Sequence, residues 1–227
     1  IILASYFGHT DIVRFLCSLN DCDVTKPDNH GRSPLHYACQ KGHVDVVSVL
    51  VCEKKCNVGL QDNEGVLPVH LASFGGYLDI VQVLAGQKNS NVHQADHKGR
   101  NALHSATQEG HLHVVKFLLT ECHMDPNAKE LLNGVTPLHI AVSKGHQAIV
   151  EYLLAQPHCD AQAIDESGRT VLHRAAQYEQ LPIVKLLKEK YNCSCATQDF
   201  ELSTPLHAAA FVGNLEVVKY LASQPEV

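Results

Sequence analysis

Histidine and cysteine are frequent in this chain, and both can bind transition metals. The 227 residues include sixteen histidines and nine cysteines. Imidazole and thiolate groups are common zinc ligands, and a cysteine activated by a histidine can act as a nucleophile. Such chemistry would be sought at Cys122-His123, at His158-Cys159 and around Cys193. The spacing of the histidines decides between this interpretation and a structural one.

Six of the histidines end tetrapeptides that recur at a fixed interval. They are His36, His70, His104, His139, His173 and His207, separated by 34, 34, 35, 34 and 34 residues. This period predicts a stack of similar structural repeats. Equivalent residues in neighbouring repeats then lie about 10 Å apart, whereas zinc ligands lie about 2.0–2.3 Å from the metal. We therefore expect neutral imidazoles that hydrogen-bond the preceding capping hydroxyl and the neighbouring turn.

The elements that position these histidines are visible in the second repeat. Residues 28–31 form a predicted turn. Ser33 is a suitable helix N-cap, and Pro34 suits the first helical position because no backbone donor is needed there. Gly42 ends this short helix. A second helix is predicted over residues 44–51, where apolar residues have helical spacing on more than one face.

Three positions carry the same residue in all six copies that follow the first. They are an alanine two residues after the histidine, a valine eleven residues after it and a leucine fourteen residues after it. The leucines are Leu50, Leu84, Leu118, Leu153, Leu187 and Leu221. We expect these side chains to form the seam between repeats, where a buried Leu→Ala change costs about 2–5 kcal/mol.

The period divides the chain into one array of about seven repeats. The expected repeats cover residues 1–27 (partial), 28–61, 62–95, 96–129, 130–164, 165–198 and 199–227. The first repeat begins inside a helix, because Ala4, Val13 and Leu16 fit the register. We expect further repeats or domains of the same chain at both ends.

Most cysteines fit the same repeat. Cys22, Cys56, Cys159 and Cys193 share one position, which Ser90 and Met124 occupy in other copies. Small, soft side chains in a repeated position indicate packing. An odd number of cysteines and the lack of a recognisable secretory leader favour reduced thiols and a cytoplasmic address, with a nuclear one as an alternative.

Composition and motifs argue against several function classes. The net charge of −6 gives no general attraction to nucleic acid, and no apolar stretch reaches the ~18 residues of a spanning helix. Phosphate-binding loops and metalloprotease motifs are missing. We predict no catalytic residue, no cofactor, no metal, no nucleic-acid partner and no direct membrane insertion.

The repeated pattern resembles the ankyrin repeat family. Residues 136–141 (Thr-Pro-Leu-His-Ile-Ala) and 204–209 (Thr-Pro-Leu-His-Ala-Ala) match its first-helix motif, and residues 110–119 match its second helix. The resemblance covers essentially the whole chain. It implies an all-α solenoid of helix-turn-helix repeats with protruding β-turn or hairpin loops.

Three repeats depart from the pattern. The turn at residues 130–134 is one residue longer and carries Leu131 and Leu132. Glu179 stands at the glycine position between the two helices of its repeat, and Leu202 stands at the turn glycine. We expect altered turns at these two places. Irregularity within a regular array is also a modest indication of function.

The ankyrin resemblance implies partner contacts at the turn tips and at the ends of the first helices, on one concave surface. Six of the thirteen Phe and Tyr residues fall at these positions, and the chain has no tryptophan. Aromatic residues are favoured interface anchors. The predicted partner-binding residues are Tyr6, Phe7, Lys41, Phe74, Lys98, Arg100, Leu131, Leu132, Arg169, Tyr178, Phe200 and Phe211. The alternative is that some pack against an adjacent turn or beneath further repeats.

The resemblance implies a non-catalytic scaffold that binds a protein or peptide in the concave groove, as a segment of a larger intracellular protein. The alternative is a structural spacer or spring-like cytoplasmic array of a channel or cytoskeletal adaptor, in which the terminal faces matter more than the groove. One modification is also implied. Asn127 matches the loop position of asparagine-hydroxylase substrates in this family.

Overall fold

Pairs of antiparallel helices make up the protein. The computed structural model describes residues 1–19 and 23–226, and the chain divides into two compact units, Ile1–Met124 (unit 1) and Asp125–Val227 (unit 2). Unit 1 contains α1 (Ile2–Tyr6), α2 (Thr10–Ser18), α3 (Pro34–Lys41), α4 (Val44–Ser48), α5 (Pro68–Phe74), α6 (Leu78–Ala85), α7 (Ala102–Gln108) and α8 (Leu112–Thr120). Unit 2 contains α9 (Pro137–Lys144), α10 (Gln147–Leu154), α11 (Val171–Gln177), α12 (Leu181–Glu189), α13 (Pro205–Val212) and α14 (Leu215–Ala222).

The predicted all-α repeat architecture is confirmed. Seven helix pairs are present in the described ranges, and the first of them opens with a short helix of five residues. The β structure among the described residues is one isolated antiparallel bridge, between Ile164 and Thr170 at the base of a turn. No helix within 1–19 and 23–226 has the length and apolar character needed to cross a membrane.

The first helices begin and end as the sequence predicts. Ser33 has extended backbone angles and caps α3, and Pro34 occupies the first helical position. Gly42 then adopts a left-handed conformation at φ +76, and the N–H of His43 donates to Ala38 O at 3.0 Å. This reversal sets the second helix of each pair antiparallel to the first.

Each unit has two layers of helices. In unit 1 the first helices (α1, α3, α5, α7) pack in one row and the second helices (α2, α4, α6, α8) in another; in unit 2 α9, α11 and α13 form one row and α10, α12 and α14 the other. The repeated alanines and leucines are buried at every copy. The repeated valine is buried at five copies, while Val218 is half-buried. The predicted seam is therefore the core.

The second helix of repeat 28–61 differs from the prediction. It is α-helical only to Ser48 and continues as a wider π-helical turn over Val49–Glu53. Five valines lie between residues 44 and 51, and β-branched side chains are restricted and crowded in an α-helix. This segment therefore has the weakest preference for regular α-helical geometry.

The described second helices after residue 44 end in two ways. After α6, α10 and α14, the side-chain amide of a glutamine donates back to a carbonyl four residues earlier: Gln87 to Val83, Gln156 to Tyr152 and Gln224 to Tyr220, at 3.0–3.1 Å. After the π-helical turn and after α8 and α12, the chain instead turns through a left-handed residue, namely Lys55, His123 and Asn192.

Two of the expected irregular turns are regular in backbone. Glu179 adopts φ +60, and Gln180 N–H donates to Ala175 O at 3.0 Å, as in the glycine-containing turns. Leu202 adopts φ +62 and donates to Asp199 O at 3.0 Å. The expectation of altered turns was wrong. The surrounding hydrogen bonds hold non-glycine residues in the left-handed region, at a cost in strain.

Candidate functional site

A carboxylate organises each turn. Asp62 Oδ1 accepts hydrogen bonds from the N–H groups of Glu64 and Val66, both at 2.9 Å. Gly65, at φ +78, supplies the left-handed residue of this turn. The same pair of bonds recurs at Asp28, Asp96, Asp165 and Asp199. Aspartate makes such local bonds readily because its side chain reaches the backbone two residues on. The direction of each turn tip is thereby fixed.

The longer turn uses glutamate in the same role. Glu130 Oε1 accepts the N–H of Asn133 at 2.8 Å, and Glu130 N–H donates to Val135 O at 3.1 Å. The extra methylene of glutamate reaches across the extra residue. Leu131 and Leu132 are left exposed at the tip.

The second oxygen of each turn aspartate takes a side-chain donor. The donors are Tyr37 to Asp28 (2.6 Å), Arg32 to Asp62 (3.0 Å), Arg100 to Asp96 (3.0 Å), Arg174 to Asp165 (2.6 Å) and Arg169 to Asp199 (3.2 Å). Arg100 donates through both Nε and Nη2. The predicted site residues Arg100 and Arg169 are therefore paired within the chain, and their guanidinium groups are held in fixed positions.

These bonds favour the ionised form of Asp28 and Asp165. The Tyr37 hydroxyl lowers the pKa of Asp28, and the same bond raises the pKa of Tyr37. At Asp165 burial opposes ionisation, but the bonds from Arg174 and from backbone N–H groups outweigh it and lower the pKa of the carboxyl. The stabilisation from such groups is present above pH ~4 and is lost as the pH falls below the lowered native pKa.

The motif histidines join each repeat to the next turn. His139 Nδ1 accepts from the N–H of Thr136 at 3.3 Å and lies 2.9 Å from its hydroxyl. The ring proton therefore belongs on Nε2, which lies 3.3 Å from Arg169 O. His36 and His173 make equivalent bonds, whereas His70 Nε2 lies 2.9 Å from Gln94 O, which precedes the next turn. Burial lowers the pKa of His70 and His139 to about 4. The predicted bonds to the capping hydroxyl and to the neighbouring turn are confirmed for His36, His139 and His173.

A second set of histidines fixes the ends of the first helices. His111 Nε2 lies 2.9 Å from Phe74 O, and His43 Nε2 lies 2.9 Å from Tyr6 O. The His111 ring covers Gly76, where an added Cβ would lie 2.5 Å from Nδ1. Glycine is needed there for both its left-handed backbone and its lack of a side chain. The backbone of Phe74, a predicted site residue, is therefore anchored from the next repeat.

A pocket of about 190 Å³ lies beside Phe74 in unit 1. Its walls include Phe74, Leu71, Arg100, Arg32 and Glu64. Phe74 is 48% exposed. A second pocket of about 390 Å³ shares Arg32 and Glu64 with the first. The structure thus brings two predicted residues, Phe74 and Arg100, into one concave site with both charge signs.

The first repeat holds a cluster of aromatic rings. Tyr6 is half-buried, with its ring centroid 5.0 Å from Phe7 and 5.8 Å from Tyr37. Lys41 Nζ lies 4.6 Å from the Tyr6 centroid, within the range of a cation–π contact. Tyr6 and Lys41 are thus engaged with each other in the chain, while Phe7 is exposed. The contacts of Tyr6 therefore fit packing within the chain better than a fully open side chain that awaits a partner.

The remaining predicted residues lie at the surface. Lys98 pairs with Glu64 at 3.7 Å in unit 1. In unit 2, Tyr178 follows α11 and is partly exposed, Phe200 lies at a turn tip, and Phe211 is 90% exposed on α13. Unit 1 therefore offers a lined pocket, and unit 2 offers apolar side chains on open surface.

Sequence reasoning missed several residues of these surfaces. Tyr37 and Leu71 occupy one repeat position. Leu71 lines the pocket beside Phe74, and Tyr37 lines the second pocket, which shares Arg32 and Glu64 with it. Leu202 is exposed beside Phe200. The turn carboxylates were also missed as the partners of the arginines. Asp28, Asp62, Asp96, Glu130, Asp165 and Asp199 recur on the same grid as the histidines, which was a usable indication.

The cysteines have the properties of packed thiols. Burial raises the pKa of Cys56, Cys159 and Cys193 to about 11, so these groups are protonated at neutral pH. This agrees with a packing role. Cys22, the fourth cysteine of this position, lies outside the described residues. Over residues 1–19 and 23–226, no group of three or more His, Cys, Asp or Glu is placed to hold a metal ion.

Asn127 is engaged on both sides of its amide. Nδ2 donates to His158 O at 2.6 Å, and Oδ1 accepts the N–H of Asp160 at 2.8 Å. The side chain is half-buried between two loops of unit 2. It therefore links neighbouring loops, and its hydroxylation stays a prediction.

The fold and its surfaces define a helical repeat protein of the interaction class. The chain matches the family model of ankyrin repeats over residues 1–62, 50–130, 69–165, 122–199 and 157–227, which together span it from end to end. The chain belongs to the ankyrin repeat family, whose repeats are general protein–protein interaction modules.

A solved structure shows the same fold. The crystal structure of the ankyrin repeat domain of Bcl-3, described as a unique member of the IkappaB protein family, is similar with a TM-score of 0.80 and 24% sequence identity. The similarity covers 98% of this chain and 97% of that one. No curated protein sequence matches.

Proposed function

We propose that this chain is a non-catalytic scaffold that binds a segment of a partner protein on its concave surface, with the pocket beside Phe74 as the principal contact. One observation carries the proposal. A half-exposed phenylalanine lies in a concave site between fixed charged groups, in a family of interaction modules. Interface anchors are commonly aromatic side chains seated in such pockets.

The pocket is suited to recognition because it is preorganised. The Phe74 carbonyl is held by His111, and Arg100 is held by two bonds to Asp96. Little conformational freedom remains to be lost when a partner binds, which favours affinity. The pairing of Arg32 with Asp62 and of Arg100 with Asp96 also leaves part of each guanidinium available to a partner's carbonyl or carboxylate groups.

The polarity of the pocket favours a peptide of mixed character. Its lining contains the basic residues Arg32 and Arg100 and the acidic residues Glu64 and Asp96. Phe74 and Leu71 supply apolar area. A ligand with an apolar side chain flanked by hydrogen-bonding backbone satisfies both kinds of wall, whereas a uniformly charged ligand meets like charge on one side.

The test compares two phenylalanines on different surfaces of unit 1. Phe117 lines a separate cavity with Gln82 and Cys122, among the second helices. Partner proteins are first captured from source cells with the wild type and identified by mass spectrometry. Their binding is then titrated against Phe74→Ala, Arg100→Ala and Phe117→Ala. Phe74→Ala should weaken binding at least about tenfold, with a melting temperature within about 2 °C of the wild type.

Two outcomes would count against this assignment. One is unchanged binding by Phe74→Ala and Arg100→Ala. The other is an equal loss with Phe117→Ala, which would place the contact elsewhere. Tyr178→Ala reports separately on unit 2, since Tyr178 lies outside the pocket.

A second candidate function is a structural array in which stacking faces matter more than the groove. The supporting observation is the seam between repeats, where the repeated leucines are buried at every copy. A longer chain with regular repeats at both ends and no groove ligand would favour this role. A cytoplasmic or nuclear location stays a prediction, supported by the odd number of cysteines.

A further inference from the structure

The turn tips of unit 2 expose an unusual amount of apolar surface. Leu131 and Leu132 project from one turn, and Phe200 and Leu202 from the turn two repeats later; Phe200 is 72% and Leu202 70% exposed. The turn between them carries the exposed Glu166. We call this set, with the exposed Glu201, the tip edge of unit 2. Each of the two pairs is a cluster of exposed apolar side chains, and such clusters commonly mark interaction sites.

Backbone hydrogen bonds place these turns side by side. Glu166 N–H donates to Asn133 O at 2.9 Å, and Phe200 N–H donates to Ser167 O at 3.0 Å. Equivalent positions in adjacent repeats are about 10 Å apart by helix-packing distance. The two apolar pairs therefore lie about 20 Å apart, with Glu166 midway.

Phe200 and Leu202 are held at their turn rather than free. An added Cβ on Gly168 would lie 2.6 Å from Phe200 Cδ1, so the Phe200 ring rests on the preceding turn. Leu202 keeps φ +62, a conformation in which a bulky non-glycine residue is rare and strained. The turn thus accepts strain at a position whose side chain is directed to solvent. Fixed apolar side chains lose little freedom on binding.

The charged residues of the tip edge determine which sign of charge a partner should carry. Its turns contain the carboxylates Glu130, Asp165, Glu166, Asp199 and Glu201 and the basic residues Lys129, Arg169 and Arg174. Arg174 and Arg169 pair with the buried Asp165 and Asp199. Glu166 and Glu201 are the exposed carboxylates, and Arg169 Nη2 reaches only to 3.9 Å from Glu201. A basic partner is therefore complementary.

We propose that the tip edge of unit 2 binds an amphipathic helix of a partner protein, with apolar side chains at both ends of one face and basic side chains between them. Two turns of α-helix rise about 11 Å, which matches the spacing of adjacent repeats. A helix lying along the tips then presents one face to Leu131 and Leu132, to Glu166, and to Phe200 and Leu202 in order. This surface is separate from the pocket beside Phe74.

The experiment uses the whole chain and a designed helical peptide labelled with fluorescein. Leucine pairs lie at the two ends of one helical face, about 14 residues apart, with arginines at the middle positions of that face. Fluorescence anisotropy should show saturable binding. We expect Kd to rise at least about tenfold in the double variant Leu131→Asn/Leu132→Asn and in the single variant Phe200→Asn. The same rise is expected for the charge reversal Glu166→Lys. It is also expected for a peptide in which glutamates replace the arginines.

Matched controls come from unit 1 and from the other site. Asn29→Ala/His30→Ala changes the tip of a turn in unit 1 and should leave Kd unchanged. Phe74→Ala should also leave it unchanged, so failure here is distinguishable from failure of the proposed function. No saturable binding, equal binding by a scrambled peptide, or wild-type Kd for the tip variants would each overturn the proposal. Wild-type melting temperatures establish that the variants fold.

Discussion

The turn tips of unit 1 and unit 2 share their backbone hydrogen bonds and differ in the side chains they expose. Unit 1 exposes Asn29, His30, Asn63, Glu64, His97 and Lys98, and unit 2 exposes Leu131, Leu132, Glu166, Phe200 and Leu202. A turn carboxylate and one left-handed residue fix the backbone in both. The tip side chains can therefore change from polar to apolar while the fold stays the same. Stability and recognition use different positions of one repeat.

The largest expected effect separates core leucines from tip leucines within unit 2. Leu187 is fully buried in the seam, whereas Leu132 is 62% exposed. Leu187→Ala should lower the free energy of unfolding by about 2–5 kcal/mol through lost burial and a residual cavity. Leu132→Ala should change it by less than about 0.5 kcal/mol. Urea unfolding measures both; a comparable cost for Leu132→Ala would make that leucine part of the core and break the comparison.

A smaller effect tests whether the two units share the histidine scaffold. The pKa of His70 in unit 1 and of His139 in unit 2 is about 4, against about 6.5 in the unfolded chain. Between these values the unfolded state binds more protons, so the contribution of the two histidines to stability falls as the pH is lowered from 7 toward 4 and is nearly constant above 7. At pH 5 the lowered pKa of each histidine should reduce the free energy of unfolding by about 2 kcal/mol.

The measurement is urea unfolding at pH 7 and pH 5 for the wild type, His70→Gln and His139→Gln. Each variant should lose less stability than the wild type between the two pH values. If one variant keeps the full pH dependence while the other does not, the imidazoles of the two units act differently, and the scaffold is not common to both.

The smallest expected effect concerns the strained tip of unit 2. Leu202→Gly should stabilise the chain by about 0.5–1 kcal/mol, because glycine adopts φ > 0 without the steric cost that leucine has, partly offset by backbone entropy. Gly168→Ala in the preceding turn should destabilise, since its Cβ would lie 2.6 Å from the Phe200 ring. Thermal unfolding distinguishes the two. A loss of stability in Leu202→Gly would show that the Leu202 side chain packs in solution.

Much of the scaffold followed from local patterns. Ser33, Pro34 and Gly42 predicted the limits of α3 because capping and backbone freedom act within a few residues. The repeated leucines predicted the seam because a fixed period places equivalent residues against one another. Phe74, Leu131, Leu132 and Phe200 were predicted at the surface from repeat position.

Other features depended on contacts between repeats. Arg32 and Arg169 bond to the carboxylate of the following turn, but Arg100 bonds to that of its own turn; their equivalent positions gave no reason for the difference. Glu179 and Leu202 hold a left-handed backbone that local preference would not choose. At these two residues the hydrogen bonds from Gln180 N–H to Ala175 O and from Leu202 N–H to Asp199 O lie within one repeat, and they outweigh the intrinsic preference of a single residue.

The sequence by itself determined the class of the protein, its repeat length, its core and the neutral structural role of its motif histidines. These depend on periodicity and on chemistry within a single repeat. The tertiary structure decided how Phe74 and Arg100 come together in one pocket, which charges are already paired, and that Leu202 is both strained and exposed. Those properties depend on distances and competing partners that are set only when the repeats pack.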